Sequence, residues 1–357
     1  MRGHPERILV IIPSPVLGGA EAQTLQIARG FAAMGAEVAI AAEPQVLAGA
    51  ALGPALPLAA SLRPPEGLSP EAAHRYQASA LQPLFKPWRP DAALVCCPLP
   101  TEAFGALLAL TEAGIPALAV AHLVRQDWEL AQAERAALPR IQASWAAVSD
   151  ASARRLEALF GLPPQRVAAI PNGLPPLPRL AADPGRFGLP AGVRLLVQIG
   201  RLDHRKGAHL ARQIAAGIAP TQLVLAGDGP LRGELHGTPG LHLLGQTDQV
   251  PALLAAADGF LLASEHEGCP LSVLEAARAG CPILATRQAL EAWPDGAAMA
   301  RIIHRDPLDI AAAFAESLRD TAGTHARRQR AAEIAAAWDE AAMLRRTAWL
   351  LAAASCN

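Results

Sequence analysis

The 357-residue chain is long enough for two domains, since single hydrophobic cores stop growing at about 250–300 residues. Hydrophobic residues make up 52% of the sequence and charged residues 18%, which excludes an intrinsically disordered protein. With 31 Lys+Arg against 32 Asp+Glu, the chain lacks the basic excess of a nucleic-acid-binding protein, and we expect no nucleic-acid partner.

Apolar runs alternate with helix-length segments along the chain, which is typical of parallel α/β sheets. In the first half we predict strands at 7–12, 37–42, 92–97, 117–121 and 146–148, and helices near 21–34, 70–85, 101–113, 127–138 and 150–160. The segment 44–70 is predicted to be irregular loop or short strand. In the second half we predict strands at 194–199, 222–226, 242–244, 259–262 and 282–285, and a helical segment at 307–354.

A proline-rich segment, 171–192, separates the two series of strands and is predicted to be the interdomain linker. We therefore predict an N-terminal Rossmann-like domain, 1–172, and a C-terminal Rossmann-like domain, 173–337. A closing helix at 338–357 would complete the first domain, and a terminal appendage is the alternative. Two doubly wound domains that face each other would bind ligands in the cleft at the carboxyl ends of their strands.

No uninterrupted apolar run reaches the roughly 18–20 residues that cross a bilayer, and the N-terminal apolar stretch has no cleavage pattern. We expect a cytoplasmic protein. The five cysteines are odd in number and lack ligand-like spacing, so neither a disulfide framework nor a zinc site is predicted. Cys96 and Cys97, within an apolar run, are predicted to be buried thiols.

Residues 200–207, GRLDHRKG, follow a predicted strand and place Arg201 and Lys206 in one glycine-bounded loop. Only Lys86 and Lys206 are lysines among the 31 cationic residues, so a lysine here is unusual for this chain. Two cations at the carboxyl edge of a sheet would offset the charge of a diphosphate. A solvated surface turn is the alternative interpretation.

Residues 264–276, SEHEGCPLSVLEA, run from a predicted strand through a polar loop into a helix that begins near Leu271. The amides from Gly268 to Ser272 would receive phosphate or sugar oxygens at the helix start. Glu267 and Glu275 would accept hydrogen bonds from sugar or ribose hydroxyls. For Glu275 alone, the alternative is a glutamate that complements the helix dipole.

Three further features are less specific. Gly18 and Gly19 precede the first helix, where exposed amides favour an anion, although glycine also occurs in ordinary strand–helix turns. His122 directly follows a predicted strand. It would therefore lie at the carboxyl ends of the strands, where such domains bind ligands, and a structural histidine is the alternative.

The GDGPLRG segment, 227–233, does not match the dinucleotide fingerprint, which argues against a nicotinamide dehydrogenase.

Taken together, the segments resemble the retaining glycosyltransferases of family 4, which have the α/β GT-B fold of two Rossmann-like domains. The most specific element is the E-x7-E spacing of Glu267 and Glu275, followed by Ala279-Gly280-Cys281-Pro282. Arg201 and Lys206 ahead of the GDGP segment support it. The resembling stretches follow the family's order at 8–21, 167–173, 200–207, 225–230, 243–245, 257–258 and 264–286.

The resemblance implies that the first domain, 1–172, binds the acceptor and that the second, 173–337, binds the donor, and it implies roles for single residues. Arg201 and Lys206 would bind the donor diphosphate and stabilise the leaving nucleotide. Glu275 would bind the donor ribose, and Glu267 would contact the transferred sugar. His122 would line the sugar or acceptor site. The remaining donor contacts would come from Gly18, Gly19, Gln246, Val250, Gly268, Cys269, Pro270 and Leu271. Cys269 stands where the family usually has phenylalanine, so packing around the donor sugar is expected to differ.

The expected activity is transfer of a hexose-type unit from a nucleotide diphosphate sugar to an acceptor hydroxyl, with retained anomeric configuration. The acceptor would be a glycan, glycolipid or polysaccharide intermediate. The sequence has no Asp-x-Asp triplet, so we expect no metal and no other cofactor. Two alternatives remain open: a GT-B nucleotide-sugar 2-epimerase, which would convert donor without acceptor, and a noncatalytic nucleotide-sugar-binding protein.

Expected partners are the nucleotide-sugar donor and a glycan or lipid-linked sugar acceptor. By resemblance, a peripheral position at the inner face of the membrane is compatible with such acceptors. The segment 84–89, LFKPWR, is a candidate for membrane contact, but a packed loop before the next strand is favoured.

Overall fold

The computed structural model describes residues 5–176, 180–189 and 192–355. Contacts between Cα atoms divide the chain into two compact units. Unit 1 comprises Met1–Asn172 and Ala341–Asn357, and unit 2 comprises Gly173–Glu340. The change of unit after residue 172 falls within the proline-rich segment, 171–192. Residues 177–179 and 190–191 of that segment lie outside the described residues, as does Cys356.

Unit 1 is built around a seven-stranded parallel sheet with the strand order β3-β2-β1-β4-β5-β6-β7. Its central strands are buried along almost their whole length, which is why they are continuous apolar runs in the sequence. The strands are β1 (Arg7–Ile12), β2 (Glu37–Ala42), β3 (Leu56–Ala59), β4 (Ala92–Cys97), β5 (Ala117–Ala121), β6 (Ser144–Ala147) and β7 (Ala168–Ala169).

Helices connect these strands, and aromatic side chains such as Phe104, Trp145 and Phe160 pack together in the core. The helices are α1 (Gly19–Ala33), α2 (Pro44–Gly49), α3 (Pro70–Trp88), α4 (Phe104–Glu112), α5 (Gln132–Ala137) and α6 (Asp150–Phe160). Cys96 and Cys97 are buried free thiols, as predicted, and burial raises the pKa of both.

One interpretation of unit 1 was incomplete and another was wrong. The segment 44–70 contains a short strand, β3, as predicted, but also a helix, α2, that was not predicted. The segment 84–89 is not a packed loop: α3 continues to Trp88 and buries Phe85 and Trp88 in the core. Two prolines inside α3 would favour an earlier end, but burial of these two aromatic side chains favours continuation of the helix.

Unit 2 contains a six-stranded parallel sheet with the strand order β10-β9-β8-β11-β12-β13. The order reverses between β8 and β11, as in doubly wound sheets, where the loops at the carboxyl ends of strands bind ligands. The strands are β8 (Leu195–Ile199), β9 (Gln222–Ala226), β10 (Leu241–Gly245), β11 (Gly259–Leu262), β12 (Ile283–Ala285) and β13 (Arg301–Ile302).

The helices that cover this sheet bury leucine, isoleucine and phenylalanine side chains against it. They are α7 (Ala211–Gly217), α8 (Arg232–Leu235), α9 (Val250–Ala256), α10 (Leu271–Ala279), α11 (Pro307–Arg319) and α12 (Thr321–Ala336). None of the helices in the described part of the chain combines the length and apolar character needed to cross a membrane.

The last helix, α13 (Glu340–Ala354), lies almost entirely in unit 1. It buries Met343 and Leu351, and Arg346 donates from Nε to the Ala169 carbonyl at 2.6 Å. The chain therefore enters unit 2 at residue 173 and returns to unit 1 at residue 341, with the Leu174 and Asp339 backbones paired in unit 2.

Candidate functional site

Three loops of unit 2 meet at the carboxyl edge of its sheet, and two glycines permit their close approach. Gly227 has φ +142°, and a Cβ there would lie 2.0 Å from the Gly200 carbonyl oxygen. Gly207 has φ +79°, and a Cβ there would lie 2.8 Å from the Ala263 oxygen. The loops after β8, β9 and β11 are therefore in backbone contact, and any larger residue at position 227 would separate two of them.

Backbone hydrogen bonds hold the same loops in register. Leu202 donates to the Asp228 carbonyl at 2.9 Å, and the Glu265 amide donates to the Arg205 carbonyl at 2.9 Å. The loop at 200–207 is thus bonded to the GDGP segment on one side and to the loop after β11 on the other. This fixes the positions from which the candidate donor-binding side chains project.

Lys206 and Glu267 form an ion pair between two of these loops, Nζ to Oε1. Their side chains are only 18% and 12% exposed, so the pair is partly desolvated. The Lys206 backbone is fixed as well, because its amide donates to Asp203 Oδ1 and its carbonyl accepts from Gln198 Nε2. The structure thus brings two of the sequence-predicted site residues into direct contact.

Arg201 lies on the same loop but has another partner. Its side chain is 47% exposed and pairs with Asp203 through an Nε–Oδ2 distance of 3.4 Å. Asp203 therefore organises both cations, since it also accepts from the Lys206 amide. Sequence reasoning missed Asp203, although an aspartate between two cations in a tight loop is a recognisable turn signal.

The turn at 268–270 is buried and leads directly into α10. Pro270 occupies the N-cap and provides no side-chain cap. Within the described residues, the amides of Leu271 and Ser272 donate to no acceptor. Uncapped amides and the helix dipole make this end of α10 favourable for an anion.

Glu275 lies one turn further along α10. Burial raises the pKa of Glu275 to about 7. The described residues offer it neither a hydrogen-bond donor nor a cation. A half-buried carboxylate without partners can accept hydrogen bonds from ligand hydroxyls. This favours a ligand-binding role for Glu275 over the alternative that it only complements the helix dipole.

The predicted base contacts lie at the end of the neighbouring strand. Gln246 is exposed directly after β10, and Val250 is the first residue of α9. The Arg232 guanidinium lies beside Gly245, the last residue of β10, since a Cβ on that glycine would be 3.4 Å from Arg232 Nη1. Sequence reasoning did not single out Arg232.

In unit 1, Gly18 is the N-cap of α1, but its amide is not exposed as expected. It donates to Glu21 Oε2 at 2.8 Å, so a buried carboxylate already occupies part of the helix start. Burial also raises the pKa of Glu21. A Cβ on Gly19 would meet nothing within 4 Å, so this residue leaves the open space that was predicted to face an anion.

His122 follows β5 directly and is 8% exposed. Its backbone amide donates to the Cys97 carbonyl at 2.9 Å, and its Nε2 has no partner among the described residues. Burial lowers the pKa of His122 to about 3, so the imidazole is neutral at physiological pH. It can exchange hydrogen bonds with a hydroxyl but does not supply a positive charge.

Two family models match the chain. The model described as Glycosyltransferase Family 4 matches residues 17–176, and the model described as Glycosyl transferases group 1 matches residues 193–320. The chain belongs to this glycosyltransferase family, as its motifs predicted.

Similar proteins cover parts of the sequence. The lipopolysaccharide core biosynthesis glycosyltransferase LpsE of Rhizobium meliloti (strain 1021) is 31% identical over 121 residues, 32% of this chain and 36% of that protein. The 2-deoxystreptamine glucosyltransferase of Streptomyces kanamyceticus is 31% identical over 173 residues, 43% of this chain and 44% of that protein. The matched regions therefore span less than half of either relative.

The structural similarity to solved structures extends over almost the whole chain. HepE of Anabaena, solved with UDP-glucose, has a TM-score of 0.79 at 18% identity and covers 98% of this chain and 100% of its own. The lipopolysaccharide biosynthesis glycosyltransferase WaaG has a TM-score of 0.72 at 17% identity, covering 96% and 99%. The predicted α/β fold with two Rossmann-like sheets is confirmed.

Proposed function

We propose that this chain is a retaining glycosyltransferase that moves a hexose-type unit from a nucleotide diphosphate sugar to a hydroxyl group. The acceptor would be a glycan, glycolipid or polysaccharide intermediate. The observation that carries the proposal is the partly desolvated Lys206 ammonium beside Glu267, at the sheet edge that also presents the uncapped start of α10. Such a site suits an anion flanked by hydroxyl-bearing groups.

The donor would be held by unit 2. Lys206 and the amides of Leu271 and Ser272 would bind the diphosphate, and Arg201 would exchange Asp203 for a phosphate oxygen. Glu275 would accept hydrogen bonds from the ribose hydroxyls, which satisfies a carboxylate that otherwise lacks partners. Glu267 would contact the transferred sugar, and Gln246 and Val250 would border the base.

The proposed reaction needs no enzyme nucleophile. The acceptor oxygen bonds to the anomeric carbon on the face from which the diphosphate departs, while the bond from that carbon to the phosphate oxygen breaks. The acceptor proton passes to the same leaving oxygen. Lys206, Arg201 and the helix amides offset the negative charge that develops on the diphosphate, so the proposal requires no metal. His122 would hydrogen-bond to the sugar or acceptor as a neutral imidazole.

The acceptor proposal draws on the relatives. LpsE is named for lipopolysaccharide core biosynthesis, and a further relative from Escherichia coli, 30% identical over 141 residues, is named for transfer to a diphosphoundecaprenol-linked sugar. A lipid-linked acceptor with peripheral membrane contact is therefore the class to test first. UDP-sugars are the first donors to test, because HepE was solved with UDP-glucose.

The deciding experiment begins with thermal-shift measurements against UDP-, GDP-, ADP- and TDP-sugars, because a ligand that binds the folded state stabilises it. The stabilising donor is then incubated with and without lipid-linked and polysaccharide acceptors, and the anomeric configuration of the product is read by NMR. Conversion of donor without acceptor would indicate a 2-epimerase instead. Binding without transfer or hydrolysis would indicate a noncatalytic protein. Absence of binding to every donor would overturn the proposal.

A further inference from the structure

Arg305 lies between β13 and α11, outside the loop at 200–207 and the 264–276 segment, and its side chain is only 24% exposed. Its guanidinium donates three hydrogen bonds in different directions. Nε donates to the Ala263 carbonyl at 3.0 Å, Nη1 to the Glu265 carboxylate and Nη2 to the His204 carbonyl. One side chain thus binds two separate segments of chain.

These acceptors belong to the two loops that carry the Lys206–Glu267 ion pair. His204 lies two residues before Lys206, and Glu265 lies two residues before Glu267. The same loops meet through the hydrogen bond from the Glu265 amide to the Arg205 carbonyl. Arg305 therefore bonds to both loops, within a few residues of the Lys206 ammonium and the Glu267 carboxylate.

The arrangement differs from a surface ion pair, whose contribution is usually small. Two of the three acceptors of Arg305 are backbone carbonyls, so their direction is set by the path of the loops and not by flexible side chains. A planar guanidinium with several fixed donors is suited to such a role, whereas an ammonium cannot reproduce its geometry.

We propose that Arg305 is a positioning residue for the donor diphosphate: it holds the loop at 200–207 against the loop after β11, so that Lys206 faces the leaving group. The inference rests on the proposed function, because it assigns the diphosphate to Lys206. Arg305 itself touches no reacting atom and acts through Lys206.

The test compares Arg305→Ala, Arg305→Lys and Arg301→Ala. Arg301 is the matched control, since it lies four residues away and pairs with Glu316 on α11 without contacting either loop. The loss of fixed geometry should lower kcat of Arg305→Ala by about 10- to 100-fold. Arg305→Lys should recover only part of that loss, and Arg301→Ala should behave as the wild type.

Binding measurements separate positioning from general destabilisation. The probe is the nucleoside diphosphate that gives the largest thermal shift among UDP, GDP, ADP and TDP, compared with its monophosphate. Arg305→Ala should reduce the affinity gained from the second phosphate and leave monophosphate binding within about twofold of the wild type. If Arg305→Ala does not fold, Glu265→Gln takes its place, since it weakens one of the three contacts. It should cause a smaller loss of the affinity gained from the second phosphate.

A double-mutant cycle decides the inference. If Arg305 acts through Lys206, adding Arg305→Ala to Lys206→Ala should cost little further kcat. Full additivity of the two losses, or wild-type diphosphate affinity in Arg305→Ala, would overturn it. Failure of the wild type to bind any of the four diphosphates would instead overturn the proposed function.

Discussion

The Lys206 ammonium and the Glu267 carboxylate form an ion pair although 61 residues of sequence separate them. This carboxylate neutralises the cation that the proposed function assigns to the donor diphosphate. A bound diphosphate would compete with Glu267 for Lys206, while the sugar hydroxyls would give Glu267 new donors. Under the proposed function, the pair would therefore link recognition of the sugar to recognition of the phosphates.

Lys206→Ala should lower kcat by about 100- to 1,000-fold, the usual cost of removing one preorganised group that stabilises developing charge. Transfer assays at saturating donor measure this loss. Lys86→Ala is the matched control, because Lys86 is the only other lysine and lies exposed on α3 of unit 1. Similar kcat values for Lys206→Ala and Lys86→Ala would contradict the assignment of the diphosphate to Lys206.

Glu267→Gln should have opposite effects on two measurements. Without the competing carboxylate, Lys206 is available, so the free nucleoside diphosphate should bind several-fold more tightly, a change that follows from the partly desolvated pair. Turnover of the nucleotide-sugar donor should fall, because the sugar hydroxyls lose the charged carboxylate that accepts their hydrogen bonds. Isothermal titration with the diphosphate and a transfer assay test the two parts, and weaker diphosphate binding would show that the ion pair does not compete with the ligand.

The sequence predicts the central strands closely because a strand buried on both faces is a continuous apolar run. The observed bounds of β1, β2, β4 and β5 coincide with the predicted ones. The sequence did not predict β7 and β13 because each is a two-residue edge strand, too short to leave a pattern.

The candidate site could be predicted only as far as local motifs extend. The loop at 200–207 and the E-x7-E segment are visible in the sequence, but their meeting at Lys206 and Glu267 depends on packing between distant segments. The three contacts of Arg305 depend on the same packing and leave no periodicity or spacing signal. The hydrogen bond from the Gly18 amide to Glu21 Oε2 was also not predicted from the sequence, although a glutamate at the third helical position is a known capping arrangement.

Glu275→Gln should stabilise the free protein increasingly as the pH rises. Burial raises the folded-state pKa of Glu275 to about 7, above its ordinary value of 4.5. Between these values the folded state binds the extra proton, so wild-type stability falls with rising pH, and the loss is complete above the folded-state pKa. The difference between variant and wild type should therefore be absent below about pH 4.5 and reach up to about 3 kcal/mol near pH 8.

Chemical denaturation at pH 4.5, 6 and 8 measures this difference. Glu129→Gln, which removes an exposed carboxylate of unit 1, controls for the general effect of losing one negative charge. Because ribose hydroxyls would stabilise the ionised form of Glu275, donor affinity of the wild type should also rise as the pH increases through 7. A pH-independent stability difference would show that Glu275 is not held at a raised pKa.

Transfer activity should persist in EDTA and should not require added manganese. The proposed leaving-group stabilisation uses Lys206, Arg201 and the α10 amides, and the sequence contains no Asp-x-Asp triplet. Initial rates are measured after dialysis against EDTA and again after addition of Mn²⁺ or Mg²⁺. Activity that disappears with the chelator and returns with the metal would contradict metal independence and would require a ligand set that the proposal lacks.

Gly227→Ala should destabilise unit 2 and weaken donor binding together. The new Cβ would lie 2.0 Å from the Gly200 oxygen, and φ at this position is +142°, a region that alanine rarely adopts. We expect a loss of about 3 kcal/mol or more, because the loops after β8 and β9 must separate. Gly233→Ala is the control: this glycine lies in α8, a Cβ there meets nothing within 4 Å, and alanine favours helix. Thermal denaturation and diphosphate titration of both variants test the prediction, and equal melting temperatures would show that the two loops do not depend on this backbone contact.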